Sequence, residues 1–410
     1  MIQRSINEKI LDSIKNYPVT LITGARQVGK STLCFEIKKK YNFSYVSLDD
    51  SKDLKYALED PELFLKKYKL PLIIDEVQKA PILLEYIAPI VNRTRLEKGS
   101  ANGMFILTGS HQYKLMKNVT ESLAGRISIN VVSPLSNNEL LARPEVPFEI
   151  NPLVLSERIQ ENFSQEKLLE QILRGGYPEV NINKNLKPST FYENYVKTYV
   201  ERDVNEIIGI KERDAFDIFL RIIAAESGKE LNYSLIAKNV GVNYKTIQSW
   251  ISILKTSNLV FTLEPYFEFS VVKRIIRRPK IYMNDTGLAC YLTGIKDIKT
   301  LENHVNKGFL IETYVINEII KTYNNSNDSI ASFYYFRDAY QNEINLVMLA
   351  NGKLSLIEIK SGTRYHPSVT KAFDLIKSTN YQLGTNAVIC NASSVYPLKK
   401  GVYIVPISTI

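Results

Sequence analysis

Short runs of apolar and β-branched residues alternate with helical patterns over the first part of the chain. The apolar runs predict buried strands at residues 19–23, 43–48, 70–74, 104–107 and 127–132. A helical pattern over residues 32–41 follows the first run closely. Strands that alternate with helices pair in parallel, so this part of the sequence predicts an α/β domain on a parallel sheet.

Residues 136–210 have a mainly helical pattern that several prolines interrupt, and this predicts a small helical lid. The next segment predicts three helices, with a Gly241–Asn243 turn before the third, and then a strand over 259–263. Helix, turn with glycine, helix and strand is the order of a winged helix-turn-helix. The sequence therefore predicts a winged helix after the lid.

The last part of the chain predicts a mixed α/β domain. Its elements are a helix over 306–323, strands over 332–337, 343–349 and 354–360, a helix over 367–376, and strands over 387–390 and 401–405. Helix, three strands, helix and strand is the core order of restriction-endonuclease-like folds. The predicted domains are the parallel-sheet α/β core at 1–135, a helical lid and connector at 136–212, a winged helix at 213–285 and a restriction-endonuclease-like domain at 286–410.

Composition limits the possible classes of protein. Hydrophobic residues make up 45% of the 410 residues and charged residues 23%, which is typical of globular domains. We expect no transmembrane helix, because no apolar run reaches 18 residues, and no signal peptide. The three cysteines and three histidines are too scattered to indicate a zinc motif or a disulfide framework, so we expect a cytoplasmic protein. The net charge of +9 permits a polyanionic partner.

The first predicted strand leads into a glycine-rich phosphate-binding motif, G-x-x-x-x-G-K-[ST], and a helix follows it. Its glycines allow a tight turn whose N–H groups converge on phosphate oxygens. We expect Lys30 to reach the β- and γ-phosphates of ATP and Ser31 to bind Mg²⁺. The predicted nucleotide-binding residues are Gly24, Ala25, Arg26, Gln27, Val28, Gly29, Lys30, Ser31 and Thr32.

Further candidate catalytic residues follow later strands. Asp75 ends the third strand and suits a Mg²⁺ contact, and Glu76 suits polarisation of the attacking water. Thr108 and Ser110 share a face after the fourth strand, where a hydroxyl can contact the γ-phosphate or this water. Arg126 precedes the fifth strand; either it acts on the γ-phosphate of a neighbouring subunit or it is a helix C-cap charge.

These motifs occur in the order and spacing of a known family. Residues 24–32, 73–81, 107–110 and 121–126 resemble a prokaryotic family of AAA-type P-loop ATPases with a C-terminal domain of unknown function and nuclease-like fold. The resemblance continues through residues 175–179, 201–204, 284–288 and 357–360. It covers nearly the whole chain and implies an ATPase fold, while the biological task of the family is poorly defined.

The predicted winged helix suggests contact with DNA. Its third helix carries residue types that contact phosphates and base edges, Lys245 among them. The run 271–280 contains five basic residues and no acid, and it could form or flank the wing. The candidate contacts are Lys245, Lys273, Arg274, Arg277 and Arg278. The alternative is a winged helix that contacts protein.

The C-terminal domain has part of a nuclease site. Glu358 and Lys360 form a Glu-x-Lys pair on one strand face, and Glu312 is an additional acid on the preceding helix. Asn345 stands where the resemblance leads us to expect aspartate, and an amide lacks the charge that Mg²⁺ favours. Glu343 lies about 7 Å further along the strand and could replace it only with a shift of the backbone. We expect a degenerate site without nuclease activity.

The sequence thus predicts a Mg²⁺-dependent ATPase or ATP switch that acts on DNA. A DNA-binding regulator with incidental turnover and an ATP-gated nuclease are the alternatives. A protein partner and a homo-oligomer are both compatible with the sequence, since a role of Arg126 in a neighbouring subunit requires assembly.

Overall fold

A computed structural model of the chain describes residues 2–109, 122–200, 213–267, 278–327, 330–376 and 380–410. These residues form two compact units. The first unit contains the described residues up to Leu135 together with Ser252–Leu259 and Asn324–Asn327. The second unit contains the other described residues.

A parallel sheet forms the centre of the first unit. Its strands are β1 (Val19–Thr23), β2 (Ser44–Ser47), β3 (Leu72–Asp75), β4 (Phe105–Thr108) and β5 (Ile127–Val131). They lie in the order β2-β3-β4-β1-β5, and every neighbouring pair is parallel. The predicted parallel α/β fold is confirmed.

Helices cover this sheet and bury its apolar side chains. They are α1 (Asn7–Asn16), α2 (Lys30–Tyr41), α3 (Ser51–Glu59), α4 (Pro61–Lys67) and α5 (Leu83–Lys98), with a 3₁₀ turn at Val77–Lys79. Every residue of β1, β3 and β4 is buried, as expected for strands covered on both faces. Side chains from β1, β3 and β4 pack with those of α5 in one apolar core.

The register of the sheet decides which residues share its carboxyl edge. Ile22 pairs with Thr108 on β4, and Ser47 pairs with Asp75. Thr23 is the last residue of β1 before the glycine-rich loop and pairs with Val131. Because all strands are parallel, the loop, Asp75 and Thr108 lie at one edge, where ligands bind in sheets of this kind.

Short helices dominate the first half of the second unit. They are α6 (Asn137–Leu140), α7 (Pro152–Glu157), α8 (Gln165–Arg174), α9 (Pro178–Ile182), α10 (Pro188–Tyr195), α11 (Arg213–Ala225), α12 (Tyr233–Val240) and α13 (Tyr244–Thr256), with a π-helical turn at Val196–Val200. The residues of α13 from Ser252 onward belong to the first unit. Later helices are α14 (Thr286–Leu292), α15 (Ile298–Glu302) and α16 (Lys307–Asn324), and 3₁₀ helices at Pro367–Leu375 and Ile407–Thr409.

A second sheet runs through the rest of this unit. Its strands are β6 (Lys229–Glu230), β7 (Val260–Pro265), β8 (Lys280–Met283), β9 (Ala331–Arg337), β10 (Glu343–Ala350), β11 (Lys353–Ile359), β12 (Gln382–Leu383), β13 (Asn386–Cys390), β14 (Tyr396–Lys399) and β15 (Val402–Pro406). The order is β14-β15-β13-β11-β10-β9-β7-β8-β6, and β12 pairs with β11. Because β7 pairs with β9, one sheet crosses the predicted domain boundary at residue 285.

The structure differs from the sequence prediction in local detail. The helix predicted over 367–376 is a 3₁₀ helix with a kink at Thr370. Strands β6, β8, β12 and β14 were not predicted. The element order from α16 to β15 otherwise agrees with the prediction.

Two glycine motifs meet at Tyr192 in the second unit. Asp285 accepts hydrogen bonds from the N–H groups of Leu288 (2.8 Å) and Gly176 (2.7 Å), and so joins the start of α14 to the 175–179 segment. The Tyr192 hydroxyl donates to the Arg174 carbonyl at 2.9 Å. A Cβ on Gly287 would lie 2.4 Å from this hydroxyl oxygen. The junction therefore requires a residue without a side chain.

Gly287→Ala should lower the free energy of unfolding by about 1–3 kcal/mol, because the added methyl group overlaps the buried Tyr192 ring. Gly308→Ala is the matched control, since nothing lies within 4 Å of its added Cβ and alanine favours a helix. Urea denaturation of the native protein and both variants measures the difference. Equal midpoints for the two variants would contradict this account of the junction.

Candidate functional site

The loop between β1 and α2 has the backbone conformation of a phosphate-binding loop. Gly24 and Gly29 have φ values of 140° and 95°, which disfavour residues with a side chain. A Cβ on Gly24 would lie 2.2 Å from the Val132 carbonyl oxygen. Lys30 is buried, and its ammonium donates to the carbonyls of Gly24 (3.1 Å) and Ala25 (2.8 Å). The glycines thus allow the loop to close around the lysine.

Asp75 is the centre of the polar cluster beside this loop. Its Oδ1 accepts hydrogen bonds from Ser31 Oγ at 3.3 Å and from Thr108 Oγ1, and its Oδ2 accepts one from the Tyr45 hydroxyl at 2.7 Å. Ser31 begins α2, so the helix start and the end of β3 bring a hydroxyl and a carboxylate together. Oxygen ligands of this kind suit Mg²⁺, and the predicted pair fits the ion.

Glu76 lies beside this cluster in a strained conformation. Its φ is 59°, in the left-handed region that residues with a side chain seldom adopt. Its N–H donates to Thr108 Oγ1 at 3.2 Å, and its carboxylate accepts from the Gln78 amide. Strained residues cluster at functional sites, where the surrounding contacts hold them. Here Thr108 fixes both the backbone of Glu76 and the carboxylate of Asp75.

Sequence reasoning missed Tyr45, which holds the second oxygen of Asp75. Tyr45 lies on β2, the strand that pairs with β3, and its hydroxyl is 2.7 Å from Asp75 Oδ2. Burial and the hydrogen bond to Asp75 raise the pKa of Tyr45 well above its ordinary value. The hydroxyl therefore stays protonated and donates to the carboxylate.

Arg4 is a second residue that sequence reasoning missed. Its buried guanidinium donates from Nη1 to the Val28 carbonyl at 2.5 Å and from Nη2 to the Ser133 carbonyl at 2.7 Å. These bonds join the glycine-rich loop to the segment after β5. A single arginine near the start of the chain carries no local pattern, so no sequence signal identified it.

The remaining predicted catalytic residues, Ser110 and Arg126, are not among the described residues beside the glycine-rich loop. Ser110 lies outside the described residues. Arg126 precedes β5, and its carbonyl accepts from the Val19 N–H at the amino end of β1. The glycine-rich loop follows the other end of β1, about 13 Å away at about 3.3 Å per residue. The Arg126 side chain donates from Nη1 to the Ala124 carbonyl at 3.3 Å and from Nε to Asn92 Oδ1 at 2.8 Å.

The predicted DNA contacts are only partly described. Lys245 is exposed on α13, and Arg278 is exposed before β8. Lys273, Arg274 and Arg277 lie outside the described residues. The fifth basic residue of the run, Lys280, was not a candidate contact, and its side chain is only 2% exposed and forms ion pairs with acids.

The nuclease-like residues converge in the second unit. Lys280 Nζ lies 3.0 Å from Glu312 Oε1 and 2.6 Å from Glu343 Oε1. Asn345 Nδ2 donates to Glu312 Oε2 at 2.8 Å. Lys360 Nζ lies 2.6 Å from Glu358 Oε1. The sequence-based candidates for this site were Glu312, Asn345, Glu358 and Lys360, with Glu343 only after a shift of the backbone, and Lys280 was not among them.

Burial perturbs the carboxylates of this cluster, and it raises the pKa of Glu312 as well as that of Glu358. Burial raises the pKa of Glu358 to about 7, although Lys360 opposes the shift. Its Oε2 is buried and has no hydrogen-bond partner among the described residues. In the described parts of the chain, no group of three or more His, Cys, Asp or Glu side chains is positioned to hold a metal ion.

Three family models match successive parts of the chain. An AAA domain matches residues 16–141, a domain of unknown function (DUF8612) matches 165–299, and another (DUF4143) matches 307–410. The first match covers the parallel sheet, the glycine-rich loop and Asp75. The described residues within this range have a parallel-sheet α/β fold like that of P-loop NTPases. None of the described helices has both the length and the apolar character needed to cross a membrane.

Individual relatives are similar at lower levels of identity. Uncharacterized proteins Rv2008c of Mycobacterium tuberculosis and Mb2031c of Mycobacterium bovis are each 25% identical over 410 residues, which is 100% of this chain and 84% of theirs. The Walker-type ATPase PABY2304 of Pyrococcus abyssi is a similar solved structure, with 16% identity and a TM-score of 0.44 over 71% of this chain and 96% of that one. AMPPCP-bound DnaA from Aquifex aeolicus has 16% identity and a TM-score of 0.28 over 60% of this chain and 86% of its own.

Arg4→Met should weaken ATP binding about threefold to tenfold, because the Val28 and Ser133 carbonyls lose their charged donor and the loop loses its brace. Binding of a fluorescent ATP analogue measures the effect. Glu8→Gln is the control on the same N-terminal segment, since Glu8 is exposed. If Arg4→Met binds as tightly as the control, the brace does not position the loop.

Proposed function

We propose that the chain is a Mg²⁺-dependent ATPase whose nucleotide state acts on a DNA-binding module. One observation carries the first half of this proposal: Ser31, Asp75 and Thr108 converge at the sheet edge beside the glycine-rich loop. In phosphoryl transfer by P-loop proteins, the metal ion and the terminal phosphate of the nucleotide bind beside this loop. The AAA domain match over the same residues supports it.

Each residue of this edge has a proposed role. The Lys30 ammonium contacts the β- and γ-phosphates, and the loop N–H groups contact phosphate oxygens. Ser31 and Asp75 would hold Mg²⁺, which when bound neutralises phosphate charge. Glu76 orients and polarises the attacking water, and Thr108 keeps Glu76 in place. Ser110 is a candidate for contact with the γ-phosphate, on sequence grounds.

The position of Arg126 bears on assembly. The sheet keeps Arg126 at the edge opposite the loop of its own chain, so a role in hydrolysis requires a second subunit. Its side chain is partly exposed, and Nε donates to Asn92 at 2.8 Å. We propose that Arg126 acts on the nucleotide of a neighbouring subunit in a homo-oligomer.

Helices α11, α12 and α13 with strands β7 and β8 form the proposed winged helix. Trp250 of α13 packs against Phe216 and Phe219 of α11, with ring centroids 5.2 Å apart in both pairs. This packing buries one face of α13 and leaves Tyr244, Lys245 and Gln248 on the exposed face. Such side chains suit phosphate and base contacts. DNA is the proposed partner, and a protein partner is the alternative outcome of the test.

The C-terminal part is proposed to be a restriction-endonuclease-like module that does not cleave. The order α16, β9, β10, β11, 3₁₀ helix and β13 supports the fold assignment. Asn345 uses its amide as a donor to Glu312, so it does not supply an anionic metal ligand. The module would then bind nucleic acid or hold the winged helix, to which β7 and β9 connect it.

Glu76→Gln should retain Mg·ATP binding and slow hydrolysis at least 100-fold, because an amide does not polarise water as a carboxylate does. Lys30→Ala should lose nucleotide binding, since the buried cation facing the phosphates is removed. Lys39→Ala, an exposed position of the same helix, is the control. Phosphate release with and without single- and double-stranded DNA measures turnover. Native turnover in Glu76→Gln would exclude Glu76 as the base.

Replacing Lys273, Arg274, Arg277 and Arg278 by alanine should weaken DNA binding at low salt and reduce its salt dependence. Each lost phosphate contact lowers the slope of log K against log salt by about 0.9 on duplex DNA. Replacing the exposed Lys39, Lys40, Lys69 and Lys98 changes the net charge equally and is the control. Fluorescence anisotropy over a salt series gives both slopes. Equal slopes would favour a winged helix that contacts protein.

A further inference from the structure

A buried lysine joins the acids of the nuclease-like cluster. Lys280 begins β8, and its ammonium lies between Glu312 of α16 and Glu343 of β10, at 3.0 Å and 2.6 Å. Burial alone would lower the pKa of Lys280, but the two carboxylates outweigh burial and raise it. The lysine is therefore charged, and it is the cation that these acids share.

The hydrogen bonds that Glu312 accepts leave its carboxylate with the Lys280 ammonium as its one cation among the described residues. Its Oε1 also accepts from the Tyr282 hydroxyl at 2.7 Å, and its Oε2 accepts from Asn345 Nδ2 at 2.8 Å. Asn345 Oδ1 in turn accepts from the Ile359 N–H at 2.8 Å. An aspartate at 345 would place a carboxylate oxygen against Glu312 Oε2. The asparagine is thus the residue that satisfies both neighbours without an added cation.

The backbone of β10 departs from regular pairing in this region. Its register with β9 shifts between Ile344 and Val347, so that two residues of β10 oppose Tyr335. Sequence reasoning required a backbone shift for Glu343 to join the site, and the shift lies next to it. Glu343 also faces Arg337, whose Nε is 3.7 Å from its Oε2.

Carboxylates and cations are paired throughout this cluster. Lys280 pairs with Glu312 and Glu343, Arg337 with Glu343 and Glu230, and Lys360 with Glu358. A divalent ion between Glu312 and Glu343 would meet the buried Lys280 ammonium and be repelled by it. The residues present therefore do not fit the Mg²⁺ that a restriction-endonuclease-like fold implies.

We propose that the Lys280 ammonium replaces a divalent metal ion between Glu312 and Glu343, so that the C-terminal module works without a metal. Glu358 Oε2, buried and without a hydrogen-bond partner among the described residues, marks where a further metal ligand remains in place. The site is a latent divalent-cation site that Lys280 closes. This inference rests on the proposed restriction-endonuclease-like module and is independent of the ATPase assignment.

Calorimetric titration of the full-length chain with Mn²⁺, without nucleotide, tests the inference. The proteins compared are the native chain, Asn345→Asp, Lys280→Met, the double variant that combines these two changes, and the double variant with Glu312→Gln added. The double variant should bind one additional Mn²⁺ at least tenfold more tightly than the native chain or Asn345→Asp, and Glu312→Gln should abolish this site. The Glu312 dependence separates it from metal binding at the P-loop.

Thermal unfolding in the same samples covers variants that fold poorly. Mn²⁺ should raise the Tm of the double variant, or restore its fold. Any change that Mn²⁺ causes in the Tm of the native chain should not depend on Glu312. The inference is overturned if Asn345→Asp alone gains the site, if the native chain binds Mn²⁺ through Glu312, or if the double variant gains nothing from Mn²⁺. ATP turnover, measured beside these titrations, reports separately on the P-loop proposal.

Discussion

The first unit depends on the burial of one carboxylate at the edge of a parallel sheet. Buried Asp75 is satisfied by hydroxyls of Ser31, Tyr45 and Thr108, which come from the start of α2, from β2 and from β4. A buried carboxylate without such donors would cost several kcal/mol. The strand order β2-β3-β4 places the donors of the two flanking strands beside Asp75. The same contacts that stabilise the edge therefore build the proposed metal site.

Much of this edge was predictable because its signals are local. The glycine spacing before Lys30 and the apolar run that ends at Asp75 both lie within short windows of sequence. Tyr45 and Arg4 were not predictable, because they bind partners 30 and 24 residues away through contacts that only the tertiary fold creates. The strand alternation also predicted the parallel sheet, whereas its strand order came only from the structure.

The second unit shows how composition misleads when the direction of a side chain is unknown. A run of five basic residues was expected to form or flank the wing, yet its last member, Lys280, is buried with Glu312 and Glu343. Lys280 and Tyr282 alternate on β8, so they share a face, and both contact Glu312. Asn345 was interpreted as a lost ligand, and the structure adds that its amide donates to Glu312 and accepts from the Ile359 N–H. Neither fact follows from the local sequence pattern, because both depend on the position of Glu312 on α16, which only the tertiary fold determines.

The two buried acidic centres differ in the charge of their donors, and this difference separates their proposed chemistry. Asp75 receives its hydrogen bonds from three neutral hydroxyls, so they orient the carboxylate without cancelling its charge. Glu312 receives one of its bonds from an ammonium, which already neutralises it. A hard divalent cation binds where anionic oxygens are ordered and still charged. The P-loop edge meets that condition, and the nuclease-like cluster, closed by Lys280, does not.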